Sequence, residues 1–167
     1  MFKINSYVMY KNDVCIVKDI SKNKYTNKEC YTLVPVVDNT LKISIPTDNK
    51  NIRKIITKSE VEDLINKIPN IDVIKTDAHN LEVEYRNLIH TSKHEDLIKI
   101  IKTTYLRNKK RIDEKRSASQ KDKEYFEKAE KYLYSEIAVS LGISYDDAKK
   151  YVVSKVEEKE NEKDIKW

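Results

Sequence analysis

The strongest constraint on what this chain can fold into is a change of hydrophobic period at Thr57. Before that point, apolar residues come in short β-branched or aromatic runs. Leu41, Ile43 and Ile45 alternate with Lys42 and Ser44, as a half-buried strand requires. After it, Val61, Leu64, Ile65 and Ile68 recur at the spacing of an amphipathic helix. The two periods describe an α+β chain: a small β domain over residues 1–56, then an all-α helical bundle over 57–167. A chain of 167 residues suffices for one good core or two small ones.

In the first part, strands are expected at Tyr7–Tyr10, 14–20, 29–37 and 42–45. Lys11-Asn12-Asp13, residues 21–28 and Asp38-Asn39-Thr40 form the turns between them. Pro46 closes the fourth strand, and 51–56 is a candidate fifth. Four or five strands this short form a small β-barrel or a strongly bent sheet. Such a unit is more often an interaction module than a site of catalysis.

In the second part, Ser59 can cap a helix over 59–68 that Pro69-Asn70 ends, and 71–78 reads as a linker. A second helix near Leu81–Thr91 places Leu81, Tyr85, Leu88 and Ile89 on one face. A third begins near Asp96 with Leu97, Ile98, Ile101 and Tyr105 as its packing stripe. Residues 117–119 break it, and Ser119 with Asp122 forms a capping box for a fourth helix. That helix buries Phe126, Ala129, Leu133 and Ile137 and ends at Gly142. A fifth starts at Ser144, capped with Asp147, and packs through Ala148, Tyr151, Val152 and Val156. Beyond about residue 157 the charge density predicts a frayed tail.

The third helix carries a concentration of charge. Residues 99–116 hold eight Lys or Arg against two acids, a local excess of +6. Lys99, Lys102, Lys109 and Lys110 share one face with Leu106 among them. A cationic face of this kind is the footprint of a polyanion binder, and the plain alternative is a solvated lysine face. Residues 1–56 carry ten Lys or Arg against five acids, which accounts for the whole net charge of +5. The basic helix is therefore balanced by acidic segments such as 157–162.

Catalytic signals are weak, and no enzyme is expected. One Gly in the chain excludes a phosphate-cradling loop and a G-x-S-x-G nucleophile. His90 and His94 have a metal-compatible spacing but no third ligand, so no metal, cofactor or small-molecule substrate is expected. Cys15 and Cys30 read as reduced thiols of a cytoplasmic protein. No run approaches the roughly 18 apolar residues of a membrane span. Eleven tyrosines invite a base-stacking reading. Tyr105, Tyr125, Tyr132 and Tyr151 fall on or beside apolar stripes, however, and are expected in the core. Ala138 through Ser144 resembles the turn of a helix-turn-helix with 145–156 as its recognition helix. Asp146 and Asp147 would repel phosphate there, which favours a capped helix corner over a sequence-specific DNA reader. A protein-interaction scaffold is a third reading.

The order of these features resembles the CarD/CdnL-like transcription regulators, over nearly the whole chain to about Val156. Leu41 through Pro46 and Ile52 through Ile56 are similar to the family's I-P … G-L-R passage, with Asn51-Ile52-Arg53 in the place of Gly-Leu-Arg. Asn80-Leu81-Glu82-Val83-Glu84-Tyr85-Arg86 resembles its Asn-Trp-x-x-x-Tyr/Phe-Lys/Arg segment. Ser119-Gln120-Lys121-Asp122-Lys123, followed by Phe126, Ala129 and Leu133, resembles its capped L-S-x-x-E-K helix. Lys11-Asn12-Asp13 stands where the family has an early turn glycine.

The resemblance implies a Tudor-like barrel that binds the β subunit of bacterial RNA polymerase. It also implies a helical domain that touches promoter DNA at the upstream edge of the −10 bubble, largely without sequence readout, and tunes open-complex stability. The protein would then be nucleoid-associated through polymerase. Carried over, the family's minor-groove wedge falls on Leu81, which the residues equally allow as a member of the packing stripe. Arg86, Arg107 and Lys123 match basic DNA-facing positions, beside the Lys102, Lys109 and Lys110 of the basic face. The polymerase-facing positions fall near Asn23 and Ser44, with Lys22, Lys24 and Lys42 as neighbouring cations.

Overall fold

A computed structural model describes residues 1–165 of the chain, which divides into two compact units, Met1–Ile56 and Thr57–Trp167. The protein is α+β, as its two hydrophobic periods require.

The first unit is one antiparallel sheet of β1 (Tyr7–Tyr10), β2 (Asp13–Lys22), β3 (Glu29–Pro35), β4 (Ile43–Pro46) and β5 (Ile52–Lys54). The strands lie in the order β4-β3-β2-β1-β5, so the last two strands in sequence occupy opposite edges. At about 4.8 Å between strands, a flat sheet would hold those edges about 19 Å apart. Residues 47–51 could span that only when nearly extended, at about 3.5 Å per residue. The connection is instead turned: the Asn49 N–H donates to the Pro46 carbonyl at 3.0 Å, and the Asn51 N–H to Asn49 Oδ1 at 2.8 Å. The sheet therefore curls its edges toward each other. A bulge helps: Val17 pairs with Leu33 but Asp19 with Thr32, leaving Lys18 as an extra residue that bends β2.

Val8, Cys15, Val17, Tyr31, Leu33 and Ile45 form the core of this unit, with Phe2, Tyr10, Ile20, Ile43 and Ile52 packed against it. The Tyr31 hydroxyl accepts the Phe2 N–H at 3.0 Å. Cys15 and Cys30 are free and buried, and burial together with the nearby Asp13 pushes the Cys15 thiol up to about 11. Lys11 closes the β1–β2 turn at φ +56°, a left-handed conformation that costs an L-residue about 1 kcal/mol or more.

The second unit contains, among the described residues, α1 (Lys58–Lys67), α2 (Leu81–Thr91), α3 (His94–Asp113), α4 (Gln120–Leu141) and α5 (Tyr145–Ile165). Thr57 rather than Ser59 caps α1. Its Oγ1 accepts the Glu60 N–H at 3.1 Å, while the Glu60 carboxylate accepts the Thr57 N–H at 2.8 Å, a reciprocal box that starts the helix earlier. Ser92, at φ +55°, ends α2, and α3 begins at His94, ahead of Asp96.

The packing face of α3 differs from expectation. Leu97, Ile98, Ile100, Thr103 and Thr104 are buried, whereas Tyr105 is 56% exposed and belongs to the surface. Two threonines take the core positions because their hydroxyls bond back into the helix, Thr103 to Lys99 O and Thr104 to Ile100 O, each at 2.7 Å. A stripe read from apolar residues alone misses them.

Residues 71–77 are held against α3: the Ile74 N–H donates to Thr103 Oγ1 at 2.9 Å. Gly142, at φ +66°, ends α4. Ser144 Oγ then accepts the Asp147 N–H at 3.1 Å, capping α5. That helix continues to Ile165, past the point where its charge suggests fraying. Lys155 and Glu158 pair across one of its turns at 3.5 Å. The final two positions of the expected tail lie outside the described residues.

Candidate nucleic-acid interface

The junction of α2, α3 and α4 is organised around Asp122. Ser119 Oγ accepts the Asp122 N–H at 3.3 Å, as the capping sequence predicts. The other half of the box is replaced: the Ser119 N–H donates to Asn108 Oδ1 of α3 at 2.8 Å. This releases the Asp122 carboxylate, which is 3% exposed. It accepts the Tyr85 hydroxyl at 2.9 Å and Arg107 Nε at 3.0 Å. Burial first, and then the bond to Asp122, push the Tyr85 hydroxyl well above its ordinary range, so it remains a protonated donor.

Against this frame the predicted DNA-contacting residues separate. Leu81 is 5% exposed and lines a small cavity of about 130 Å³ with Val73, Ile74, Thr103 and Leu106. In this packing it offers little surface to a base step. Arg107 is committed to Asp122. Lys102 is half-buried and donates Nζ to the Ile71 carbonyl at 2.9 Å and to that of Ile68, capping the chain that leaves α1. Arg86 is exposed on α2, beside Glu82, whose carboxylate accepts Lys121 Nζ at 2.6 Å. Lys109, Lys110 and Lys123 are exposed.

Lys121 and Lys123 lie two apart on α4, roughly 200° around the helix, with Asp122 buried between them. They therefore project to different sides. Lys121 joins Glu82 and Arg86 on the α2 side. Lys123 shares an open groove with Lys109, Tyr105, Ile112 and Phe126 of α3 and α4. The structure thus joins Lys109 with Lys123 and sets Arg86 apart from them. Tyr105 and Phe126 are the groove residues that the sequence reading assigned to the core. The missed signal is that Tyr105, Lys109 and Ile112 fall at i, i+4 and i+7, one helix face.

In the sheet unit, Asn23 organises the β2–β3 turn, its Oδ1 accepting the N–H groups of Tyr25 and Thr26 at 2.8 and 3.1 Å. Lys22 and Lys24 are exposed on either side of it. Lys22 pairs with Glu29, and Ser44 with Thr32. The hairpin cations and Ser44 are therefore three rungs apart along β3, about 10 Å, and exposed Lys42 lies further on.

The remaining polar sites have structural partners. His94 Nε2 lies 2.8 Å from Glu136 Oε2, a carboxylate 1% exposed, rather than facing His90 toward a metal. Lys149 pairs with buried Glu130 at 2.9 Å across α4 and α5. Tyr145 meets Tyr134 edge-on at 6.1 Å, so the α4–α5 corner is a capped and packed junction, with Asp146 and Asp147 exposed. No helix among the described residues is long and apolar enough to cross a membrane.

No curated protein matches the chain. Residues 76–153 match the family described as CarD, C-terminal domain. The match runs through α2, α3 and α4 into α5, and so takes in both the Asp122 junction and the groove. A CarD C-terminal domain match behind a five-stranded antiparallel sheet supports assigning the chain to the CarD/CdnL-like transcription-associated proteins.

Proposed function

We propose that this protein is a non-enzymatic regulator that binds RNA polymerase through its sheet unit and promoter DNA through its helical unit, tuning the lifetime of the open complex. The observation that carries this reading is the CarD C-terminal match lying on helices that expose Lys109, Lys110 and Lys123 without an acidic partner among the described residues. Exposed cations that pair with no acid among the described residues suit a polyanion. Their contacts are to phosphate, which sets position without reading sequence.

On the sheet unit, Lys22, Lys24 and Lys42, with Asn23 and Ser44, are the surface assigned to the β subunit. On the helical unit, Lys109, Lys110 and Lys123 carry the DNA contact, with Arg86 as a separate outlying cation. Arg107 and Lys102 act by holding the fold. Leu81 enters as a wedge only if it leaves its packed position.

The test is affinity purification of core polymerase with the full chain, followed by open-complex lifetime after a competitor challenge. The full chain is expected to retain polymerase, and a Lys22→Glu, Lys24→Glu double variant to retain markedly less. Lys109→Glu with Lys123→Glu is expected to leave retention unchanged while abolishing the effect on lifetime. Failure of the wild-type chain to retain polymerase refutes the reading.

A further inference from the structure

The groove between α3 and α4 has a composition that phosphate contact alone does not use. It measures about 310 Å³, at the lower limit of the roughly 300–1,000 Å³ of small-ligand sites. One wall presents Tyr105, 56% exposed, and Ile112, 61% exposed. The other presents half-buried Phe126. Lys109 and Lys123 stand on opposite walls, and neither forms an ion pair among the described residues. Asn108 also lines the groove, but its amide is occupied at both ends by the Ser119 backbone.

We infer that this groove is a stacking site for an unpaired base of single-stranded DNA, seated on Tyr105, with the flanking phosphates on Lys109 and Lys123. An exposed aromatic sharing a groove with two cations that pair with no acid among the described residues is an arrangement by which proteins hold single strands. Bases within a duplex are stacked on one another and cannot offer a face to Tyr105. The Asn108 amide is held at both ends by the Ser119 backbone, and the exposed ring of Tyr105 offers a base its face. Asp113 on the same wall repels phosphate and places the strand's backbone toward the lysines. The inference deepens the promoter-contact reading and rests on it for the source of the single strand, which is the melted segment of an open complex.

The test titrates the full chain, without polymerase, against a fluorescent oligothymidylate and a duplex of equal length. Tyr105→Ala is expected to weaken the oligothymidylate roughly tenfold and leave the duplex unchanged, while Tyr105→Phe retains both. Lys123→Gln is expected to reduce the slope of log affinity against log salt by about 0.7, one phosphate of a single strand. Equal loss for both nucleic acids on Tyr105→Ala, or no loss for either, overturns the inference and leaves the groove to an acidic peptide or to solvent. Retention of polymerase does not involve Tyr105, so the two readings fail separately. A chain that alters open-complex lifetime without preferring the single strand loses only this inference. One that holds oligothymidylate through Tyr105 but ignores polymerase loses only the promoter reading.

Discussion

Arg107 and Lys109 leave α3 two residues apart and do opposite work. Arg107 turns toward α4, where the Asp122 carboxylate, 3% exposed, takes its Nε at 3.0 Å. Lys109 turns into the groove, where Lys123 faces it and no acid pairs with it among the described residues. Both are cations of one basic helix, and from charge alone both are candidates for DNA. What separates them is whether a buried carboxylate waits on the neighbouring helix. A desolvated acid holds its cation strongly because removing the partner leaves a charge stranded out of water. An exposed lysine has no such tie and is available to an external anion.

The largest effect expected from this contrast is on stability. Arg107→Ala should cost about 3 kcal/mol, because it leaves the buried Asp122 carboxylate without the only cation bonded to it among the described residues. Chemical denaturation of the full chain, followed by its helical signal, measures this. Arg107→Lys should recover only part of the loss, since an ammonium on a different stem does not reproduce the Nε–H that meets the carboxylate. A loss below about 0.5 kcal/mol, the range of ordinary surface substitutions, would make Arg107 a surface cation like Lys109 and dissolve the comparison.

The fold was legible where one residue type settles the local geometry. The break between the two units followed from the change of period at Thr57. The end of α4 followed from Gly142, whose φ of +66° suits a residue without a side chain. The site was less legible because its residues act across helices. Ser119 and Asp122 have the spacing of a capping box, and the cap is present. Nothing local says, however, that Asn108 takes the Ser119 N–H and frees the carboxylate for Tyr85 and Arg107. Lys102 looks like one more member of a cationic face, yet its ammonium caps carbonyls more than thirty residues upstream. Aromatics usually pack in cores, which is what makes Tyr105 read as a core residue from sequence. Thr103 and Thr104 occupy the buried positions there, their hydroxyls bonded back into α3, and Tyr105 lies on the exposed side of the helix.

A smaller effect is expected from the neutral partner in the same junction. Tyr85→Phe removes one hydrogen bond to Asp122 while Arg107 remains, and should cost about 1–2 kcal/mol. It should also change the alkaline limb of the stability profile. The folded tyrosine holds its proton above the value of an unfolded one, near 10. Over that range the native state binds more protons than the unfolded state, so stability falls as pH rises above about 10. Tyr85→Phe should make that fall shallower without abolishing it, since burial also raises Tyr134. An unchanged alkaline limb would mean that Tyr85 is not held neutral by its surroundings.

The smallest stability effect sharpens the contrast most. Lys109→Ala should change the unfolding free energy by less than about 0.5 kcal/mol, because the lysine is exposed and pairs with no acid among the described residues. The same substitution should lower affinity for oligothymidylate and reduce its salt slope by about 0.7, as loss of one phosphate contact requires. Arg107→Ala should show the reverse, with stability lost and the salt slope of the remaining folded protein unchanged. Should Lys109→Ala instead destabilise the chain by 1 kcal/mol or more, Asp113 would be the first residue to examine. It lies one helical turn away on the same groove wall and is the acid best placed to hold Lys109 back from DNA.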